Sequence, residues 1–191
     1  MNTLEAIYNR RSIRKFKQDS VPAELMEKLL GAATQAPSAM NRQPWRFVVL
    51  EGRKKDELVE LFQKKLIKLK KLSKSISAAE ATAEHMKQAP VLLLVFNAES
   101  RAKGLLSFFS TALDVMYIQS VGAAIQTILL AAEELGLGTL WIGHVFFAAK
   151  EICRYVNKNE ELIAAVSVGY KDEEPQARPR KNWNEVTQWL H

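Results

Sequence analysis

The stretch QAPSAMNRQPWRFVVL, residues 35–50, decides the fold. Residues 35–44 hold two prolines, a serine, an asparagine and two glutamines, polar and turn-forming residues; residues 45–50 are an aromatic and β-branched run. The preceding segment, PAELMEKLLGAATQA from Pro22, carries Leu25, Met26, Leu29, Leu30 and Ala33 at helical spacing behind a proline suited to a first helical position. A helix packed on one face is therefore expected to end near Pro37, and WRFVVLE is expected to be a strand. Between them Ser38, Asn41 and Gln43 stand at the edge of the core. Their side chains can bond the loop's own backbone, or Asn41 and Gln43 can match the amide pattern of a polar heterocycle.

Working outward, VLLLVFN from Val91 is apolar on both faces and reads as a central strand. GTLWIG and LIAAVSVGY read as further strands, separated by a helix over AAKEICRYV. NTLEAIYNR is a short helix capped by Asn2 or Thr3, with Leu4, Ile7 and Tyr8 on one side. A helical stretch from about Lys54 to Gln88 sets an apolar stripe of Leu61, Phe62, Leu66, Ile67 and Leu69 against Lys64, Lys65, Lys68 and Lys71. Ser107 to Leu135 reads as a long, almost wholly buried helix or helix pair. Helices and strands alternate, which favours a mixed sheet with helices on its faces, although strand order and direction are not readable. The tail EEPQARPRKNWNEVTQWLH is proline-rich and charged, and its Trp183 and Trp189 need cover that a partner subunit would supply.

With 191 residues, 48% of them hydrophobic, and no linker-like composition, one domain over 1–191 is expected. The longest apolar run, VGAAIQTILLAAEELGLG, is broken by Gln126 and Thr127 and implies a buried helix rather than a membrane span. The N-terminal residues lack a signal-peptide core, and the one cysteine, Cys153, cannot form an internal disulfide, so a cytoplasmic protein is expected. Net charge +6 favours anionic partners. The lysine-dense run QKKLIKLKKLSK, residues 63–74, is a solvated face or a polybasic surface for nucleic acid or lipid. His85, His144 and His191 are scattered, and no metal site is expected.

Arginine is concentrated at two places. RRSIRKF gathers Arg10, Arg11 and Arg14 around Ser12 in an extended segment, where alternation would set Arg10, Ser12 and Arg14 to one side. ARPRK sets Arg178 and Arg180 two apart across Pro179. A guanidinium fork suits phosphate, and the two groups could converge on one. LGLGTLWIGH places Gly143 and the flat apolar Trp141 and Ile142 at the end of a short strand. Neither a dinucleotide fingerprint nor a P-loop occurs.

RRSIRKF, APSAMNRQPWRF, AAEELGLGTLWIG and ARPRK follow one another in the order found in the FMN-dependent nitroreductase family, which the chain resembles over nearly its whole length. The resemblance implies an α+β fold with a central mixed sheet flanked by helices, in an intertwined homodimer holding FMN at each of two interface sites. It implies that Arg10, Arg11, Ser12 and Arg14 contact the flavin's phosphate and ring, and that Arg178 and Arg180 complete the phosphate grip. Pro37, Ser38, Ala39 and Asn41 match the loop contributed across the interface. Trp141, Ile142 and Gly143 match the strand whose backbone lies against the flavin. Some members have serine where Ala39 stands and glutamate where Ile142 stands. His85 and Lys87 occupy the segment from which relatives read the flavin's pyrimidine edge, and neither is assigned to the site. The implied activity is ping-pong reduction of nitroaromatic or quinone-like acceptors by NADH or NADPH, with no catalytic side chain of its own. A flavin-binding sensor or storage protein and a nucleic-acid-binding protein using the lysine-rich helix are the competing classes.

Overall fold

The polar loop leads into strand β1 (Trp45–Glu51) as expected, and Trp45 and Leu50 turn into the core. The computed structural model describes residues 2–70, 77–99 and 107–190. Its elements are α1 (Thr3–Asn9), α2 (Ala23–Ala33), β1, α3 (Gly52–Lys70), α4 (Ser77–Gln88), β2 (Val91–Asn97), α5 (Ser107–Glu134), β3 (Leu137–Ile142), α6 (Ala149–Tyr155) and β4 (Glu161–Tyr170). Three short 3-10 turns follow α2, β3 and the start of the tail.

The strands form one sheet in the order β1-β2-β4-β3. Strand β2 lies between β1 and β4, and every one of its residues is buried, as its two-sided apolar pattern demands. Leu92, Leu94 and Phe96 face a cluster with Leu58, Phe62, Leu66 and Met86 of α3 and α4. Val91, Leu93 and Val95 face the opposite cluster, with Met26 and Leu29 of α2 and Val121, Ile125 and Ile128 of α5. The architecture is α+β. All three strand ladders are antiparallel, and the parallel component of the sheet is a single bridge between Ser12 and Thr139.

Several helix readings change. The helix expected from Lys54 to Gln88 is divided into α3 and α4; residues 71–76, Lys71 among them, lie outside the described residues. Within α3, Ile67 is 61% exposed, so the buried stripe is Leu58, Val59, Phe62 and Leu66. The lysines opposite are largely paired: Lys64 with Glu60 (3.7 Å), Lys65 with Glu151 (2.6 Å) and Lys70 with Glu80 (2.8 Å). Lys68, on the same helix, is exposed.

Helix α5 is not almost wholly buried. Val121, Ala124, Ile125, Ile128 and Ala132 lie in the core, whereas Val115, Met116 and Ile118 are exposed. Thr111–Glu134 is long and apolar enough to cross a membrane by length and composition, yet its core-facing side packs against α2 and β3. In α1, Asn2 caps the helix in a reciprocal box with Glu5, while Leu4, Ile7 and Tyr8 stay exposed.

A buried lysine escaped the sequence reading. Lys55 of α3 donates from Nζ to the carbonyls of Lys87 (2.9 Å) and Ala89 (2.8 Å), closing the end of α4, and pairs with Asp56 at 3.2 Å. Lys55→Met should lower stability by about 2 kcal/mol, because both carbonyls lose a charged donor in a dry site. Denaturant unfolding should show a lower midpoint with an unchanged slope.

Candidate active site

Helix α1 ends at Arg10, whose extended backbone (φ −54, ψ 132) starts a segment laid along the sheet. Ile13 N donates to Thr139 O at 2.9 Å and Lys17 N to Tyr170 O at 3.0 Å. Bridges pair Ser12 with Thr139 and Phe16 with Lys171. Ile13 and Phe16 insert into the core beneath. Two glycines make room: a Cβ on Gly138 would stand 2.9 Å from Ile13 Cγ1, and one on Gly169 would stand 2.6 Å from Pro90 Cδ and 3.0 Å from Phe16 Cδ1.

The start of the tail is tied to the same segment. Asp172 N donates to Lys15 O at 3.1 Å, and the Glu173 carboxylate accepts from the backbone N–H groups of Arg14 and Lys15. Lys171 is fastened to both oxygens of Glu133 on α5, at 2.7 and 2.8 Å. The chain beyond therefore passes in front of Arg10–Arg14.

The two arginine groups converge. Arg10, Arg11, Ser12, Arg14, Arg178 and Arg180 line one cavity of about 540 Å³, with Ile7, Tyr8 and residues 175–177 completing the wall. Among the described residues no carboxylate lines it. Strict alternation does not hold, because Arg11 shares the cavity while its Nη1 folds back onto the carbonyls of Tyr8 (2.6 Å) and Arg10 (3.0 Å). Arg14 Nη1 donates to Ser12 O at 3.2 Å. Arg10, Arg178 and Arg180 have no ion-pair partner among the described residues. Five guanidinium groups without a counter-charge in the wall make a strong positive field, suited to a doubly charged phosphate.

His85, in the last turn of α4, borders this region. Burial, and then the Arg14 charge, pushes its pKa below the ordinary histidine value of 6.5; Glu173, Glu84 and the Arg14 backbone oppose that shift only in part. Lys87, the other residue of that segment, is exposed and offers its carbonyl to Lys55.

The loop over residues 37–43 lies elsewhere. Pro37, Ser38 and Ala39 face α5 across a second cavity of about 310 Å³, walled by Met116, Gln119, Ser120 and Ala123. Met40, Asn41 and Gln43 all have left-handed backbones, with φ of 52, 52 and 49. Each costs roughly 1–3 kcal/mol for a residue other than glycine, so the loop must be over-determined by its bonds. Ser38 Oγ accepts from Gln43 N at 3.0 Å, and Asn41 Oδ1 accepts from the Gln43 side chain at 3.3 Å. In one chain these polar groups thus serve the loop itself.

At the end of β3, Trp141 is 42% exposed while the Ile142 side chain is 2% exposed and belongs to the core, so Ile142 offers only backbone outward. A Cβ on Gly143 would meet nothing within 4 Å, which leaves that backbone open to approach. Trp141, Ile142, Gly143 and the 37–41 loop are absent from the wall of the arginine cavity. The sequence reading also missed Ser120, a buried hydroxyl that accepts from Ala39 N at 3.0 Å.

An antiparallel sheet lies between helical layers, with an arginine-lined cavity beside its β3 edge, in an α+β architecture. The chain belongs to the Nitroreductase family, whose model matches residues 7–170. A protein of Methanothermobacter thermautotrophicus, provisionally named as an NADH dehydrogenase or NAD(P)H nitroreductase, is 33% identical over 93% of this chain and 82% of its own length. The iodotyrosine deiodinase of Thermotoga neapolitana is 32% identical over 93% of this chain and 91% of its own. Among solved structures, a provisionally named nitroreductase of Desulfovibrio desulfuricans in complex with FMN superposes with a TM-score of 0.75 at 26% identity, covering 100% of this chain and 98% of that one.

Two measurements test this geometry. Gly138→Ala should cost about 1–3 kcal/mol by forcing Ile13 off its site, whereas Gly143→Ala, with open space around it, should leave the stability of the isolated chain within about 0.5 kcal/mol. Because the folded His85 binds a proton less readily than the unfolded one, stability should fall as the pH drops from 6.5 through the lowered folded value. His85→Gln should flatten that part of a pH series of melting curves.

Proposed function

We propose that the chain, as one domain over 1–191, is a flavin-dependent oxidoreductase that binds FMN and uses NADH or NADPH to reduce small nitroaromatic or quinone-like acceptors. The observation that carries this reading is the meeting of Arg10, Arg11, Ser12 and Arg14 with Arg178 and Arg180, from opposite ends of the chain, in one cavity without a carboxylate. The donor set fits the phosphate end of FMN: Arg10, Arg178 and Arg180 offer unpaired forks, and Ser12 adds a hydroxyl. Family membership and the FMN complex of the Desulfovibrio relative support the choice of that flavin.

Bound FMN would supply hydride chemistry between a nicotinamide donor and the acceptor. The chain's part is to bind, orient and balance charge. Arg14, held by Glu173 through its backbone, points a fixed positive charge into the cavity, where it would favour the negative charge gained on reduction. Trp141 gives a flat apolar surface, and the backbone of Ile142 and Gly143 gives the open approach that a planar ring requires.

A homodimer completes the site in this reading. The 37–41 loop stays away from its own chain's arginine cavity and reaches the flavin of a second copy. The exposed apolar residues of α1 and α5, Leu4, Ile7, Val115, Met116 and Ile118, would lie in the interface. The tail residues Trp183 (65% exposed), Trp189 (69%) and Leu190 (85%) would find their cover there too.

A second reading concerns the acceptor alone. The Thermotoga deiodinase matches almost end to end, which favours reductive dehalogenation of an aromatic halide as the other reaction to assay. The competing reading, nucleic-acid binding by the lysine-rich helix, would use a face on which Lys64, Lys65 and Lys70 are already near acids and Lys68 is exposed.

The double variant Arg178→Ala/Arg180→Ala should weaken FMN binding by roughly a hundredfold or more, since each charge-assisted bond is worth about 1.5–3 kcal/mol. Fluorescence titration of the apoprotein with FMN reads the loss; unchanged affinity would remove both arginines from the phosphate site.

A further inference from the structure

The strained loop at 37–43 is fastened at a few points only. Within it, Asn41 N donates to Ser38 O and Arg42 N to Ala39 O, both at 3.0 Å, and Gln43 N donates to Ser38 Oγ. At its far end Ala98 N donates to Pro44 O at 2.8 Å, tying the loop to the chain just after β2. Its near end is joined to α5 by the hydrogen bond from Ala39 N to Ser120 Oγ, at 3.0 Å.

The Ser120 hydroxyl is fixed in direction. Its proton is given to Met116 O, one turn back in α5, at 2.8 Å, so a lone pair is left for the Ala39 amide. The residue is only 5% exposed, which shields the bond from water. Ala39 stands between Ser38 and Met40, the first of the left-handed residues. Holding its amide therefore sets the direction in which Ser38 and Asn41 leave the helix surface.

We propose that Ser120 is a positioning residue of the flavin site: its hydroxyl latches the Ala39 amide to α5 and so keeps the 37–43 loop in the conformation that receives the flavin of the second copy. The proposal rests on the flavin reading given above and adds to it a residue that does not itself touch the cofactor. The latch acts by preorganisation. Without it the loop has to find its three left-handed residues at the moment of binding, and affinity falls by the fraction of time the receptive form is absent.

The chemistry of α5 makes the test clean. Alanine is the best helix former, and in Ser120→Ala the Met116 carbonyl keeps its helical backbone bond, so the helix survives the loss of the hydroxyl. Ser120→Thr keeps the hydroxyl, and threonine in a helix readily bonds the carbonyl one turn back. Its extra methyl has room, because Ser120 borders the 310 Å³ cavity beside Met116, Gln119 and Ala123.

The experiment compares the full-length wild type, Ser120→Ala and Ser120→Thr. FMN dissociation is followed by the fluorescence of released flavin, alongside melting of each apoprotein and its sedimentation. The expected result is about tenfold weaker FMN retention in Ser120→Ala, with wild-type retention restored in Ser120→Thr and wild-type assembly in both. Equal retention in wild type and Ser120→Ala would overturn the latch, as would a threonine variant no better than alanine. A loss in Ser120→Ala accompanied by an equal loss of assembly would also overturn it, by assigning Ser120 to general stability. Wild-type protein that takes up no FMN would overturn the flavin reading itself, a result distinct from all of these.

Discussion

At Gly138 and Gly169 the sheet has no Cβ atoms, and the chain uses that space to lay Ile13 and Phe16 against β3 and β4. The rest of the site depends on this close approach. With Ile13 and Phe16 fixed three residues apart, the backbone between them is pinned to Thr139, Lys171 and Tyr170, and Arg14 is left to face outward. The same pinning brings Lys15 and Arg14 to the tail, where Glu173 takes both their amides. A larger residue at Gly138 would press on Ile13 and Lys171, and one at Gly169 on Pro90 and Phe16. The hydrophobic core and the arginine cavity thus share one short stretch of chain.

The two basic surfaces of this protein differ in what their charges meet. Toward the end of α3, Lys64, Lys65 and Lys70 each have an acid nearby, and such partly exposed pairs contribute little to stability. Around the N-terminal cavity five arginines gather without an acid in the wall, and the acids that hold this region together, Glu133 and Glu173, are turned to Lys171 and to backbone amides instead. Crowding like charges opposes folding, and in the flavin reading a bound dianion would relieve it. The difference explains why the denser lysine run in the sequence is the less informative one.

The strands were the most legible part of the fold. WRFVVLE and VLLLVFN begin and end where the hydrogen-bonded ladders do, because long apolar and β-branched runs have few alternatives. Their antiparallel direction was not legible, since helical connections serve parallel and antiparallel neighbours alike. The arginine spacing pointed to a shared ligand, but only the fold brings residues 10–14 and 178–180 together. Lys55 and Ser120 were missed for a common reason. A lysine in a charged helix and a serine in an apolar one look ordinary until their depth is known, and depth depends on packing that composition does not carry. The exposed half of α5 is not legible because an apolar run looks the same in sequence whether its residues turn to the core or to the surface.

The most direct test of the flavin account is the visible absorption spectrum of the purified protein after incubation with FMN and removal of free flavin, followed without oxygen by NADH and then NADPH. The account predicts yellow protein with one FMN per chain, bleached by at least one of the two donors and recoloured by a quinone. Protein that leaves the column colourless, or flavin that stays oxidised with both donors, would contradict it.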